Sequence, residues 1–276
     1  MLRAGVIQLN SGNEIAGAVA HAETLIKEAA HDGATLVCTP ETTHLMEMNR
    51  SAVLEKACFE QDDPGLRRFC ELAAELGIWL HIGSLIIKTG TERLANRSFL
   101  LSPAGDITAR YDKMHLFDVD LGDGEVYRES ALYDAGDTAV VANTPLATLG
   151  FTICYDLRFP YEYRALAMAG AEILFVPAAF TRPTGAAHWH TLLRARAIET
   201  GAYVIAAAQT GVHDTGRATF GHSLVVDPWG KVIADGGEDV GVTIVDLDLA
   251  KVAKARHKMP SLRHGRDIQV EVIDIE

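Results

Sequence analysis

The chain has 276 residues, 48% of them hydrophobic and 22% charged, which is the composition of a folded globular protein and excludes a disordered one. Lys and Arg number 25 against 37 Asp and Glu, so the formal charge is −12, which excludes non-specific nucleic-acid or anionic-membrane binding as a default role. The longest apolar run, Ile173 to Phe180, is too short to cross a bilayer.

The N-terminal MLRAGVIQLN reads as a strand and not as a signal peptide. From Leu2 to Leu9 the chain is apolar and strand-like. Asn13 is the expected cap of a helix whose face carries Ile15, Val19, Ala22, Ile26 and Ala29, and Gly33 ends it. Thr35 to Thr39 is a short buried strand. Asp63-Pro64 opens the next helix, with Leu66, Phe69, Ala73 and Leu76 as its stripe and Gly77 as its stop. Ile78–Ile87, Arg97–Leu101 and Ile107–Met114 are strands, the last two joined by a turn at Ser102–Asp106. Residues 115–138 are polar and glycine-punctuated, and a loop that long is usually functional.

The pattern then repeats. Leu146–Ile153 is a strand and Pro160–Ala169 a helix ended by Gly170. Ile173–Ala178 is a strand, Ala187–Thr200 a helix ended by Gly201, and Tyr203–Ala208 a strand. Strands at 222–227, 231–234 and 242–247 follow, with turns at Pro228-Trp229-Gly230 and Gly236-Gly237. Strand–helix–strand units in both halves predict mixed α/β sheets with parallel pairing, covered by helices. No repeat period and no Ser/Gly- or Pro-rich linker divides the chain, so residues 1–276 are expected to form one domain.

Three reactive residues stand where strands stop, which is where α/β sheets bind ligands. Glu41 follows Leu36 to Pro40, Lys113 closes the strand from Ile107, and Cys154 leads from one strand through Tyr155 to Arg158 into the helix at Pro160. Taken singly each has a plain structural reading: a capping acid, a solvated lysine, a buried thiol. Together they offer a nucleophile near a helix N-terminus, a base if burial raises the Glu41 pKa towards neutrality, and a cation for an oxyanion. Cys38, Cys58 and Cys70 keep the structural reading. With no C-x-x-C and no secretion signal, reduced thiols and a cytoplasmic location are expected.

Pro40-Glu41, Tyr111-Asp112-Lys113-Met114-His115-Leu116-Phe117-Asp118 and Cys154-Tyr155-Asp156-Leu157-Arg158-Phe159-Pro160 resemble the three signatures of the nitrilase, or carbon–nitrogen hydrolase, superfamily. The resemblance runs to about Arg266. It implies a four-layer α-β-β-α sandwich, with Glu41 as general base, Lys113 as oxyanion-stabilising cation and Cys154 as nucleophile. Glu129, in Tyr127-Arg128-Glu129-Ser130, matches the family's second glutamate, which holds the lysine charged and orients the amide. Segments 184–190, 194–199 and 221–230 look like the branch of small amidases that includes ω-amidases and deaminated-glutathione amidases, and 206–211 tilts the likeness to the latter. The implied reaction is hydrolysis of a small carboxylate-bearing amide to carboxylate and ammonia through a Cys thioester. Tyr155, Arg158, Phe180, Thr181 and Thr184 are the expected substrate-binding residues, with Arg158 gripping a distal carboxylate or else pairing with Asp156 or Glu162. The resemblance further implies a homodimer or higher even oligomer, with residues 249–276 packing across subunits.

A nitrilase or N-carbamoyl amino acid hydrolase with the same three residues, and a non-catalytic member that binds a metabolite or a partner, are the alternatives. No H-E-x-x-H, P-loop, G-x-G-x-x-G or G-x-S-x-G occurs, and Gly122-Asp123-Gly124-Glu125 lacks the carboxylates of a calcium loop, so neither a metal nor an organic cofactor is expected. His188 and His190 point to different sides of a helix and cannot share a metal. Trp189 is read as packing.

Overall fold

The computed structural model describes residues 1–122 and 126–275; Asp123, Gly124 and Glu125 of the segment dismissed as a calcium loop lie outside the described residues. The first half runs β1 (Leu2–Gln8), α1 (Ile15–His31), β2 (Leu36–Cys38), α2 (Arg50–Lys56), β3 (Cys58–Phe59), α3 (Pro64–Leu76), β4 (Trp79–Lys88), β5 (Leu94–Leu101) and β6 (Ile107–Asp112). A hairpin of β7 (Asp118–Asp120) and β8 (Val126–Arg128) follows. The second half holds β9 (Val141–Asn143), β10 (Thr148–Phe151), α4 (Pro160–Met168), β11 (Ile173–Phe175), α5 (Arg182–Thr200), β12 (Tyr203–Ala206), β13 (Thr210–Val212), β14 (Ala218–Phe220), β15 (Leu224–Val226), β16 (Val232–Asp235), β17 (Gly241–Leu247) and α6 (Ala250–Lys258).

One sheet has the order β17-β1-β2-β4-β5-β6, with β3 also on β4; the other runs β16-β15-β12-β11-β10-β9. Each has a parallel centre, β1-β2-β4 and β10-β11-β12, flanked by antiparallel strands. The period-2 alternation of a strand explains the layering. On β1, Leu2, Ala4 and Val6 join the core shared with the second sheet, while Ile7 joins the core beneath α1 and α3. Leu36 and Cys38 face inward in the same way and Val37 outward. The far side of the second sheet packs on Tyr163 and Leu166 of α4 and on Trp189, Leu193 and Ala197 of α5. This is the four-layer α-β-β-α sandwich expected. Between the sheets His81 of β4 stacks on Phe175 of β11 at 3.9 Å, and burial pushes its pKa down to about 3, so it serves as a neutral packing ring.

Several expectations are corrected. Glu14, not Asn13, precedes α1 and gives no side-chain cap; the Asn13 backbone is used elsewhere, its carbonyl accepting from Lys56 Nζ at 2.7 Å. Helix α5 starts at Arg182 instead of Ala187, because Thr181 caps it and a proline fits its first turn. Strand β11 stops at Phe175 instead of Ala178, since Pro177 has no N–H for the ladder. Strand β5 begins at Leu94 and not Arg97. The 115–138 segment is not bare loop: β7, β8 and a 3-10 turn at Glu129–Ala131 lie in it. Elements α2, β3, β9, β13, β14 and α6 were not expected at all. No helix among the described residues is long and apolar enough to cross a membrane.

Candidate active site

Each of the three strand-end residues is fixed by its backbone before its side chain is considered. After β2, Thr39 Oγ1 bonds Thr43 Oγ1 at 2.7 Å, and Thr43 Oγ1 in turn donates to the Pro40 carbonyl at 2.7 Å, closing the turn that carries Glu41. Gln209 Nε2, in the connection between β12 and β13, donates to the Glu41 carbonyl at 2.9 Å. Gly83 of β4 lies so close beneath this turn that a Cβ there would sit 2.1 Å from the Thr39 carbonyl oxygen, so glycine is required by the close approach. Lys113 follows β6, its N–H bonded to the Asn96 carbonyl at 3.0 Å. Cys154 follows β10 at φ 51°, left-handed backbone for a non-glycine residue, with its N–H on the Pro177 carbonyl at 2.9 Å. That sharp elbow opens a 3-10 turn over Cys154–Arg158 that feeds α4.

The elbow and the lysine segment are tied together by Asp156, which is fully buried. Its Oδ2 accepts from the Ile153 N–H at 2.8 Å and Tyr111 OH at 2.7 Å, and its Oδ1 accepts from the His115 N–H at 2.9 Å and contacts His115 Nδ1 at 2.7 Å. The residue before the nucleophile and the residue two after the lysine thus share one carboxylate.

The side chains meet in one buried cluster. Glu41 Oε1 accepts from Lys113 Nζ at 2.9 Å and Asn96 Nδ2 at 2.8 Å; Oε2 accepts from the Ala179 N–H at 2.9 Å. Lys113 Nζ also donates to Glu129 Oε2 at 2.9 Å, and Glu129 Oε2 accepts from the Phe117 N–H at 2.6 Å. Lys113 is therefore held between two carboxylates. Burial alone pushes the Glu41 pKa up, but the Lys113 charge and hydrogen bond outweigh it and leave the carboxyl below its ordinary range. This corrects the expectation of a base tuned upward: Glu41 rests as a carboxylate. Burial pushes Lys113 down, yet Glu129 and Glu41 hold its pKa well above the ordinary value, so it stays charged. Burial and the neighbouring Glu41 charge drive the Cys154 thiol well above its ordinary value. The resting state is a neutral thiol beside a carboxylate.

All nine residues expected at the site line one cavity of about 320 Å³. Tyr155 packs edge-on against Phe117 at 5.1 Å. Arg158 is not paired with Asp156 or Glu162, whose oxygens go to Tyr111 and His115; its guanidinium lies 5.6 Å from the Phe180 ring centre and 3.3 Å from His188 Nδ1. The Thr181 and Thr184 hydroxyls bond each other at 2.8 Å at the start of α5, so capping already engages them. Asn96, the Ala179 amide and Arg217 also reach the site and were not expected. A lone Asn inside the apolar stretch of β5 is a buried-polar signal that points to Asn96; nothing in the sequence marks Arg217, which sits in the β13–β14 hairpin connection. Among the described residues, two further groups carry metal-ligand side chains, His190 with His222 and Asp235, and His115 with Asp156 and Glu162. In the first, hydrogen bonds join the members, and His190 faces Asp235 at 3.0 Å, not His188; in the second, His115 Nδ1 contacts Asp156 at 2.7 Å and lies 3.4 Å from Glu162 Oε2.

The sequence profile of the carbon–nitrogen hydrolase family matches residues 3–257. A deaminated glutathione amidase of Yersinia enterocolitica is 42% identical over 265 residues, spanning 95% of this chain and 92% of its own. The Caenorhabditis elegans NitFhit protein superposes with a TM-score of 0.90 at 36% identity, covering 96% of this chain; the chain spans 65% of that fusion protein. A Glu-to-Gln mutant of an amidase of Nesterenkonia, whose active-site cysteine took up acrylamide by Michael addition, superposes with a TM-score of 0.80 at 26% identity, covering 94% of this chain and 98% of its own. The chain belongs to the carbon–nitrogen hydrolase family.

Proposed function

We propose that the protein is an amidase that cleaves a small carboxylate-bearing linear amide of the deaminated-glutathione type, through a thioester on Cys154. The observation that carries this reading is the Glu41 carboxylate, fixed by Lys113, Asn96 and the Ala179 N–H in the same cavity as the strained Cys154 elbow. Because the thiol pKa lies high and the Glu41 pKa low, a free thiolate is costly, so proton transfer to Glu41 accompanies attack instead of preceding it. The Cys154 Sγ–carbon bond forms, the carbonyl pair moves to oxygen, and the Lys113 ammonium stabilises that oxyanion. Collapse breaks the C–N bond as Glu41 returns its proton to the leaving nitrogen. Water then adds to the thioester, giving its proton to Glu41; the C–S bond breaks, and the thiol is restored by that proton.

Glu129 keeps Lys113 charged and aimed. With a primary amide the amine released is ammonia; with deaminated glutathione, cleavage beside the oxo acid releases a dipeptide. Arg158, lacking a carboxylate partner among the described residues, receives a substrate carboxylate. Turnover assays on oxo-acid amides with folded Cys154→Ala as control test the reading: loss of all turnover is expected, and near-normal turnover would refute it.

Residues 1–276 are read as one domain that assembles as a homodimer or higher even oligomer. Support for assembly comes from the tail, where Ile268, Val270, Val272, Ile273 and Ile275 are each at least 72% exposed. The packing extension is read as residues 249–276; within it Val252 and Ala255 of α6 are buried in the chain's own structure and Arg256 donates to the Thr200 carbonyl at 3.1 Å, so its remaining, exposed residues are the ones offered to a second copy. Four free cysteines fit a reducing, cytoplasmic setting.

A further inference from the structure

We infer that His190, His222 and Asp235 form a metal-binding site outside the catalytic cavity, which takes one first-row divalent cation of the zinc class. This site is independent of the amidase reading.

Three separate elements deliver the ligands. His190 comes from α5, His222 from the connection between β14 and β15, and Asp235 from the end of β16. His190 Nε2 lies 3.0 Å from Asp235 Oδ2, His222 Nδ1 lies 2.9 Å from Asp235 Oδ1, and one ligand atom from each residue lies within 4.8 Å of the others. A tetrahedral zinc with bonds of roughly 2.0–2.1 Å holds its ligand atoms roughly 3.3 Å apart, so a small rotation of the two rings admits the cation. Two imidazole nitrogens and one carboxylate oxygen suit zinc, cobalt, nickel and copper, whereas magnesium and calcium prefer oxygen ligands. Three protein ligands leave a position for water, and the side chains, between 23% and 40% exposed, leave a path from solvent.

The surroundings aim these ligands. His222 takes left-handed backbone at φ 57°, its N–H donates to the Gly237 carbonyl at 2.7 Å, and its carbonyl accepts from Nε1 of the buried Trp189 at 2.8 Å. Trp189 is the neighbour of His190 on α5, so the helix that carries one ligand also anchors the backbone of the other. The His222 ring stacks on Phe220 at 4.6 Å, and Phe220 packs against α5 where Gly185 leaves room, a Cβ there standing 2.2 Å from Phe220 Cγ. Gly237 N–H donates to Asp235 Oδ1 at 2.9 Å. Outer partners of this kind orient metal ligands.

Hydrogen bonding alone does not account for the arrangement. His190 and the Gly237 N–H would already give each oxygen of Asp235 a partner, and a partly exposed His–Asp contact is worth little in water. A second imidazole is nevertheless brought to the same carboxylate on a backbone conformation that non-glycine residues rarely adopt. The His115–Asp156–Glu162 group differs, because the Asp156 oxygens already hold the Ile153 and His115 N–H groups and Tyr111 OH. No sequence motif marks the new site, since its histidines stand 45 and 13 positions before Asp235 on different elements.

The test is metal binding by the full chain, stripped with a chelator and titrated with Zn(II) by calorimetry and with Co(II) by visible absorption. One equivalent of Zn(II) is expected, with an intense Co(II) spectrum of a low-coordinate site and no competition from Mg(II). His190→Ala and Asp235→Asn should each weaken Zn(II) binding by about tenfold or more, at least the loss that removal of an outer partner brings. Zn(II) should raise the Tm of the wild-type protein and not that of His190→Ala. Cys154→Ala should bind Zn(II) as the wild type does, which separates this site from the active-site thiol. His190 is the most exposed of the three side chains, so His190→Ala decides the matter if Asp235→Asn fails to fold. Absence of a stoichiometric Zn(II) equivalent, binding that survives His190→Ala unchanged, or binding that is lost in Cys154→Ala would each overturn the inference, and none of them touches the amidase reading.

Discussion

Cys154 and Glu41 have opposed proton affinities, and this sets the chemistry at the scale of single residues. The active form carries one proton shared between a thiol held above its ordinary 9.0 and a carboxyl held below its ordinary 4.5. Activity should therefore fall on the acid side only below pH 4.5, as Glu41 is protonated, and on the alkaline side only above pH 9.0, as the thiol ionises. A pH profile of kcat/KM checks this; a limb near neutrality would contradict it. Asn96→Ala removes a donor to the Glu41 carboxylate, so it should move the acid limb upward and lower kcat by roughly tenfold or more. The catalytic candidates were legible because three uncommon residue types stand at three strand ends. The state of Glu41 was not, because its pKa depends on Lys113, 72 positions away in the chain.

Elements, more than residues, bring these groups together. Gly83 on β4 admits the Glu41 turn, and Gly83→Ala should cost about 3 kcal/mol or more in denaturant unfolding, since the obstruction is backbone and cannot rotate away. Next to the nucleophile, Glu162 Oε1 of α4 lies 2.8 Å from Tyr111 OH, whose one proton goes to Asp156, and burial with the Asp156 charge pushes the Glu162 pKa up to about 8. The groups facing it are Asp156 from the elbow, Tyr111 from β6 and His115, whose Nδ1 is 3.4 Å from Glu162 Oε2. A carboxyl raised in the folded state binds its proton more tightly than in the unfolded chain. Its contribution to stability is complete below the ordinary 4.5 and is lost as pH rises from there through about 8. Glu162→Gln should flatten that decline in urea unfolding; an unchanged pH slope would contradict the assignment. The strand and helix stripes of the two halves were legible from periodicity. Helix α2 and strand β3 were missed because Arg50–Phe59 is short, and its fully buried anchors, Val53 and Ala57, are too few to show a period. The start of α5 was misplaced because Thr181 reads equally as a loop residue until its hydroxyl is seen capping.

At the scale of the molecule, two sheets bury a common core, and the site opens where the parallel strands of both come to an end. Cys38 lies in that shared core, 1% exposed, so Cys38→Ala should cost about 1 kcal/mol of stability with little change in kcat. The exposed apolar tail is the part of the chain whose burial the fold leaves open. Removal of residues 264–276 should weaken assembly in light scattering, whereas a wild-type protein that stays monomeric at every concentration would contradict the oligomer. The tail's role was not legible beyond family likeness, because a single chain holds no information on what its free apolar residues meet. Covalent catalysis is the claim on which the rest depends, and intact-mass spectrometry after rapid acid quench during turnover of an oxo-acid amide tests it most directly. The account predicts a mass increase equal to the acyl group, mapped to Cys154 and absent from folded, inactive Cys154→Ala; an adduct on another residue, or turnover that survives the substitution, would contradict it.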